Sequence, residues 1–330
     1  MTSPGAVTSD DCPKRMLFGP CGGVRRDGRC EVDDRRCSFM DSDVIRWTGG
    51  RPTAPPAIRA STPVIICDVR PAAPTRAAVR SVGSTHRFAD VVLIGDHHES
   101  VDLPGTFVGA ELADMGLTPW VTLSCRDRNR VALEADLVAL RELGVGTAHC
   151  VTGDARAPHV RPGSTPVFDL DSHQLVALAT SLGLAGSVAE TPNAPPVECR
   201  AARALEKRRA GASWCFINLT SASGQLREFT CAVHDGAPDL GLIVCVGVFT
   251  DLDGARRLRA LPGIELPDQA VSQVLNASDP IAAGVQRAVA AARAALDLPG
   301  VCGVNLTGPA STSGPSERAA VLAAVAEQIR

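Results

Sequence analysis

Tyrosine is missing from this chain of 330 residues, and eight phenylalanines and three tryptophans are the only other rings of that class. Few flat side chains are therefore on hand to stack an aromatic ligand or a run of bases. No apolar run approaches the roughly 20 residues that span a bilayer, and the polar start from Met1 to Asp11 lacks the apolar centre of a signal peptide. The expectation is a cytoplasmic protein with no membrane association. A charge excess is missing as well. The formal net charge is −3, so no bulk field exists to hold nucleic acid. Arg25-Arg26 and Arg35-Arg36 are offset by Asp10, Asp11, Asp27, Asp33 and Asp34 and read as a solvated face.

What remains is an ordinary globular composition, 45% hydrophobic and 21% charged, long enough for one large core plus an appendage. Twelve cysteines in a reducing compartment are not a disulfide framework. Cys67, Cys125, Cys150, Cys215, Cys245 and Cys302 lie in or beside apolar runs and read as small buried hydrophobes. Four others, Cys12, Cys21, Cys30 and Cys37, crowd the start in a C-x8-C-x8-C-x6-C spacing rich in Gly and Pro. Thiolates so arranged can wrap a tetrahedral metal, zinc ahead of an iron–sulfur cluster, and so short a segment has too little apolar content to fold unaided. The chain divides into a cysteine-rich metal-binding head at 1–45, a Pro/Gly-rich linker at 46–62 and a body at 63–330.

In the body, β-branched runs recur at 63–69, 89–95, 119–124, 147–152, 184–189, 213–218, 242–248 and 301–306. Their continuous rather than alternating hydrophobicity fits parallel strands covered on both faces. Helical spacing is clearest over 129–143, with Gly144 as the stop, and recurs near 73–83, 106–114, 170–182, 197–210, 223–233, 253–260, 280–296 and 316–329. This alternation predicts an α/β fold, a (β/α)8 TIM barrel. A doubly wound sheet is disfavoured because the first strand runs into Asp68-Val69-Arg70-Pro71 rather than a G-x-G-x-x-G turn. Barrels place chemistry at the C-terminal strand ends, which here carry Asp68, Asp96-His97-His98, Cys125-Arg126-Asp127, Thr152-Gly153-Asp154, Glu190, Asn218, Thr250-Asp251 and Asn305-Leu306-Thr307. His97 is a candidate for acid–base duty. Asn218-Leu219-Thr220, Asn276-Ala277-Ser278 and Asn305-Leu306-Thr307 fit the glycosylation pattern but are set aside for a cytosolic chain.

Three separated stretches carry a resemblance. Leu123-Ser124-Cys125-Arg126-Asp127-Arg128-Asn129-Arg130, the Thr152-Gly153-Asp154 turn, and Lys207 with Ala210-Gly211-Ala212 and Asn218 together resemble methylenetetrahydrofolate reductase over about residues 63–310. The head, with Cys12-Pro13-Lys14, Gly19-Pro20-Cys21-Gly22-Gly23 and Gly28-Arg29-Cys30-Glu31-Val32, resembles the small cysteine domain that accompanies some of these reductases. The resemblance implies reduction of 5,10-methylenetetrahydrofolate to 5-methyltetrahydrofolate, with hydride from NAD(P)H passing through FAD. Asp68 stands where the family has its proton-donating glutamate. Asp127 matches the aspartate at the pterin and flavin edges, Asn218 replaces a substrate-binding glutamine, and Lys207 with Thr152, Gly153 and Asp154 matches the flavin contacts. Two other readings stay open: folate-dependent one-carbon transfer without flavin, and a noncatalytic folate-binding or assembly protein. In either case the head could dock a partner subunit or a second copy as a homo-oligomer.

Overall fold

Eight apolar runs become the strands of one parallel sheet. They are β1 (Val64–Val69), β2 (Val91–Ile94), β3 (Pro119–Ser124), β4 (Thr147–Val151), β5 (Ala185–Glu190), β6 (Ala212–Ile217), β7 (Gly241–Gly247) and β8 (Val301–Thr307). In the computed structural model they pair in sequence order and β8 closes on β1, so the TIM barrel read from the sequence is the fold. The structure describes residues 11–50, 63–97, 100–155, 161–218, 224–261, 264, 266–308 and 314–330.

The helices are α1 (Arg76–Thr85), α2 (Gly105–Asp114), α3 (Arg130–Glu142), α4 (Ser172–Ser181), α5 (Arg200–Arg209), α6 (Gly224–Gly236), α7 (Leu252–Ala260), α8 (Asp268–Leu275), α9 (Pro280–Leu296) and α10 (Pro315–Ile329). Their ends follow local chemistry. Asn129 caps α3 by accepting from the Ala132 amide at 3.0 Å, and Gly144, at φ +73°, supplies the left-handed turn that stops it. Asp171 and Gln174 form a reciprocal capping box at the start of α4. Helix α8 was not expected. It pairs with α7 between β7 and α9 and shares a small core with it through Phe249, Leu258, Val271 and Val274.

Strand alternation splits the interior in two. Ile65, Cys67, Val121, Cys150, Cys215 and Leu306 face the helices, whereas Ile66, Leu93, Trp120, Trp214, Phe216 and Ile243 fill the lumen. Trp120 and Trp214 meet with centroids 5.3 Å apart, and Phe216 lies 6.1 Å from Trp120. Three of the eleven Phe and Trp rings thus fill the barrel's own interior. No helix among the described residues is long and apolar enough to cross a membrane.

The head is built of turns around one bridge between Arg29 and Arg36. Met16, Val24 and Phe39 give it a small buried centre. The stretch expected as linker is engaged at its start. The Trp47 amide donates to Glu206 Oε2 at 2.7 Å, and its ring lies 5.1 Å from that of Phe18. Residues 51–62 of that stretch lie outside the described residues.

Candidate active site at the barrel mouth

Asp68 is the penultimate residue of β1, between Cys67 and Val69 that face the helices, so its carboxylate turns to the lumen. Its Oδ1 accepts from Asn305 Nδ2 at 3.0 Å. The same nitrogen lies 3.8 Å from Cys245 Sγ, and the Cys245 thiol donates to Asn218 Oδ1 at 3.3 Å. Burial, reinforced by the charge of Asp68, pushes the Cys245 thiol well above its ordinary range, which keeps its proton in place for that bond. A polar row therefore crosses the mouth from β1 through β8 and β7 to the end of β6. It joins two expected site residues, Asp68 and Asn218, through Asn305, read only as a strand-end residue, and Cys245, read as a buried hydrophobe. The signal was available: Val304 and Leu306 face the helices, and period-two alternation then places Asn305 on the lumen side.

Beneath the row, on β4, His149 Nδ1 lies 2.8 Å from Ser187 Oγ, and its ring is 4.6 Å from Phe216. Burial, with the nearby Lys207 charge, pulls the imidazole down to about 3, so it is neutral at physiological pH.

Asp127 is placed differently from the expectation. Both its oxygens are taken by the neighbouring Arg126, whose Nε lies 3.0 Å from each and whose second nitrogen lies 2.8 Å from Oδ2. Arg126 is itself buried and donates onward to the Asp154 carbonyl at 3.0 Å. The Cys125-Arg126-Asp127 and Thr152-Gly153-Asp154 motifs are thus brought together by a guanidinium. Gly153 is required there, because its φ is +94° and a Cβ would fall 2.2 Å from Ser124 Oγ. His97 follows β2, half-buried, with its ring over Gly95. His98 lies outside the described residues.

Lys207 points into the protein. Its Nζ lies 2.5 Å from the Ala189 carbonyl and 2.7 Å from Glu190 Oε2. Arg200 at 3.1 Å and Arg203 at 3.5 Å complete a ring of three cations on the one carboxylate, all four side chains being buried. Burial alone would raise Glu190, but the charges of Lys207, Arg203 and Arg200 outweigh it and hold the carboxyl far below its ordinary range. The same arginines grip the head: Arg200 donates to the Pro20 carbonyl at 3.2 Å and Arg203 to that of Phe18 at 2.9 Å. Across the seam the Leu17 amide meets Asp171 Oδ2 at 3.3 Å, and the Phe18 ring lies 5.0 Å from His173. Lys14 donates to the Gly153 carbonyl at 2.5 Å and pairs with Glu31. Lys14 and Lys207 are the only lysines in the chain, and both are buried at this seam.

Neither cofactor site expected from the resemblance takes the expected form. The flavin contacts do not fit. Lys207 is saturated by Glu190 and Ala189, and the Gly153 and Asp154 carbonyls are held by Lys14 and Arg126. In the head, Cys12, Cys30 and Cys37 are near one another. Burial first, and then the neighbouring thiols, raise Cys12 and Cys37. Cys21 lies 3.5 Å from Glu31 Oε1, and burial pushes it up to about 12. The donors suit a thiophilic metal by chemistry. Their spacing does not: among the described residues no three His, Cys, Asp or Glu side chains gather as metal ligands. Ligation by all four thiols would require Cys21 to leave Glu31 and close on the others.

A cleft of about 250 Å³ opens where head and barrel meet beside the end of β5. Gly22, Arg25 and Arg26 line it from the head, Thr191 and Asn193 from the loop after β5, and Arg259 from α7.

Residues 3–44 match the protein family described as methylene-tetrahydrofolate reductase C terminal. No curated protein matches the chain. Among solved structures, an uncharacterized Clostridium thermocellum protein that binds two copies of 5-methyl-5,6,7,8-tetrahydrofolic acid superposes with a TM-score of 0.56 at 11% identity, covering 81% of this chain and 95% of that one. Mycobacterium tuberculosis tryptophan synthase gives 0.48 at 13% identity, over 82% and 93% of the two chains. At 11% identity the likeness to the first of these is one of fold.

Proposed function

We propose that the protein binds a reduced folate in the barrel mouth and acts on its one-carbon unit. The observation that carries this reading is the hydrogen-bonded row Asp68–Asn305–Cys245–Asn218, which unites two resemblance residues from distant strands beside a head of the reductase family. A folate joins a flat pterin to a carboxylate-bearing tail. The mouth offers the pterin polar partners over an apolar floor, and the cleft lined by Arg25, Arg26 and Arg259, of which Arg25 pairs with Asp34 and Arg259 with Asp268 on their exposed sides, gathers cations for the tail. The methyltetrahydrofolate-binding neighbour of the same fold supports that ligand class.

The reaction we assign is reduction of the methylene group to methyl. A nicotinamide, when bound, supplies the hydride for such a step. Asp68 is the acid available to protonate the ring nitrogen that departs as the methylene bridge opens, and Asn305 holds its carboxyl in place. No step is routed through FAD, because the residues matched to flavin are engaged within the protein. That engagement favours a second reading, flavin-free one-carbon transfer in the same mouth. Anaerobic titration with 5-methyltetrahydrofolate tests the ligand class, and absence of binding refutes it. NADH or NADPH oxidation driven by 5,10-methylenetetrahydrofolate, followed beside the visible spectrum, then separates reduction from transfer.

A further inference from the structure

One acceptor in the mouth is left over. Asn305 is 3% exposed. Its Nδ2 is committed to Asp68, so its amide orientation is fixed, yet its buried Oδ1 has no hydrogen-bond partner. A buried carbonyl oxygen without a donor costs folding free energy, and natural interiors seldom leave one so. Alternation turns this side chain to the lumen, and pairing register sets Asn305 beside Cys245 of β7 and Ile66 of β1. Asp68, which adds a carboxylate next to it, is half-buried and so open to the mouth. Asn305 Oδ1 and the Asp68 carboxylate thus form a pair of neighbouring acceptors at the top of an apolar, ring-lined lumen.

From this we infer that Asn305 Oδ1 reads the donor edge of the ligand, accepting from the exocyclic amino group of a 2-amino-4-oxopyrimidine, while Asp68 fixes the orientation of the amide. This rests on the folate reading and deepens it, moving recognition of the pterin edge away from Asp127. Asp127 has both oxygens on Arg126. The Asn305–Asp68 pair has an acceptor to spare. Specificity follows from the same accounting: a ring lacking the amino group would leave the buried oxygen unpaired, the situation in which polar sites discriminate most strongly.

The test compares anaerobic binding of 5-methyltetrahydrofolate with that of its 2-desamino-2-methyl counterpart, which has lost the amino donors. The parent protein should favour the natural ligand by about 10- to 100-fold, the usual worth of a hydrogen bond to a buried or charged partner. Asn305→Leu, which keeps the branched skeleton and removes both polar atoms, should reduce that ratio several-fold, whereas Asp127→Asn should leave it intact. Equal binding of both ligands by the parent protein overturns the edge assignment and spares the folate reading. A ratio that collapses in Asp127→Asn and survives in Asn305→Leu overturns it too. Binding of neither ligand removes the folate reading and the inference with it. Because the first comparison uses the unaltered protein, misfolding of a variant cannot rescue or sink the proposal.

Discussion

Glu190→Gln should be among the most damaging single substitutions in this chain. Three cations converge on the carboxylate, at 2.7, 3.1 and 3.5 Å, and solvent does not reach the group. The amide keeps the shape and removes the only negative charge in the ring. Breaking a buried pair by neutralising one partner costs about 3–5 kcal/mol, because the remaining charge is left uncompensated. In a chain of this length that corresponds to a fall in Tm of roughly 4–7 °C. The head should loosen as well, since Arg200 and Arg203 hold the Pro20 and Phe18 carbonyls. The pH dependence has a definite sign. The folded pKa of Glu190 is lowered, so its contribution is complete above the unfolded value of about 4.3 and fades as pH falls below it. Thermal unfolding followed by circular dichroism from pH 7 to pH 3, with limited proteolysis of the head, reads both effects. A variant melting within 1 °C of the parent at pH 7, or losing stability just as steeply in acid, would refute the reasoning.

Three further outcomes are expected. Asp127→Asn should lower Tm, because buried Arg126 loses its bidentate partner, and should weaken folate binding less than Asn305→Leu does; the reverse order in a binding titration counts against the structural role. Arg26→Glu in the arginine cleft should weaken a folate with several tail glutamates more than one with a single glutamate, with the difference shrinking as salt rises. If four thiols close on a metal, elemental analysis will find about one ion per chain and Cys21→Ser will release it; full occupancy in that variant would rule out ligation by Cys21.

The barrel was legible because its signal is local. Each strand is a short β-branched run and each helix a periodic stretch, and the helix read at 129–143 is found at Arg130–Glu142. Helix α8 escaped because its eight residues make only about two turns, too short a window for the spacing of Val271, Val274 and Leu275 to stand out. The site was half legible. Asp68 and Asn218 could be named from their strand ends. The residues that join them were not tied to the site, since Asn305, though named at its strand end, is 237 positions from Asp68 and Cys245 resembles any other buried cysteine in sequence. Lys207 was assigned an outward role by motif. Whether a charged group meets a ligand or a neighbour is decided by tertiary pairing, and Glu190 is its neighbour. The head's cysteines drew attention to metal, while the contacts that seat it use backbone carbonyls, to which composition gives no clue.

The placing of the two lysines makes the folded protein a poor substrate for acylation. Lys14 and Lys207 are 2% and 3% exposed, so neither ε-amine can be reached by an amine-reactive reagent, or by an acetylating enzyme, until structure opens. They open for different reasons. Lys14 is freed when the head lifts from Gly153, whereas Lys207 is freed only when α5 parts from β5. Peptide mapping after a timed pulse of an acetylating reagent would therefore resolve undocking of the head from unfolding of the barrel within one unmodified chain.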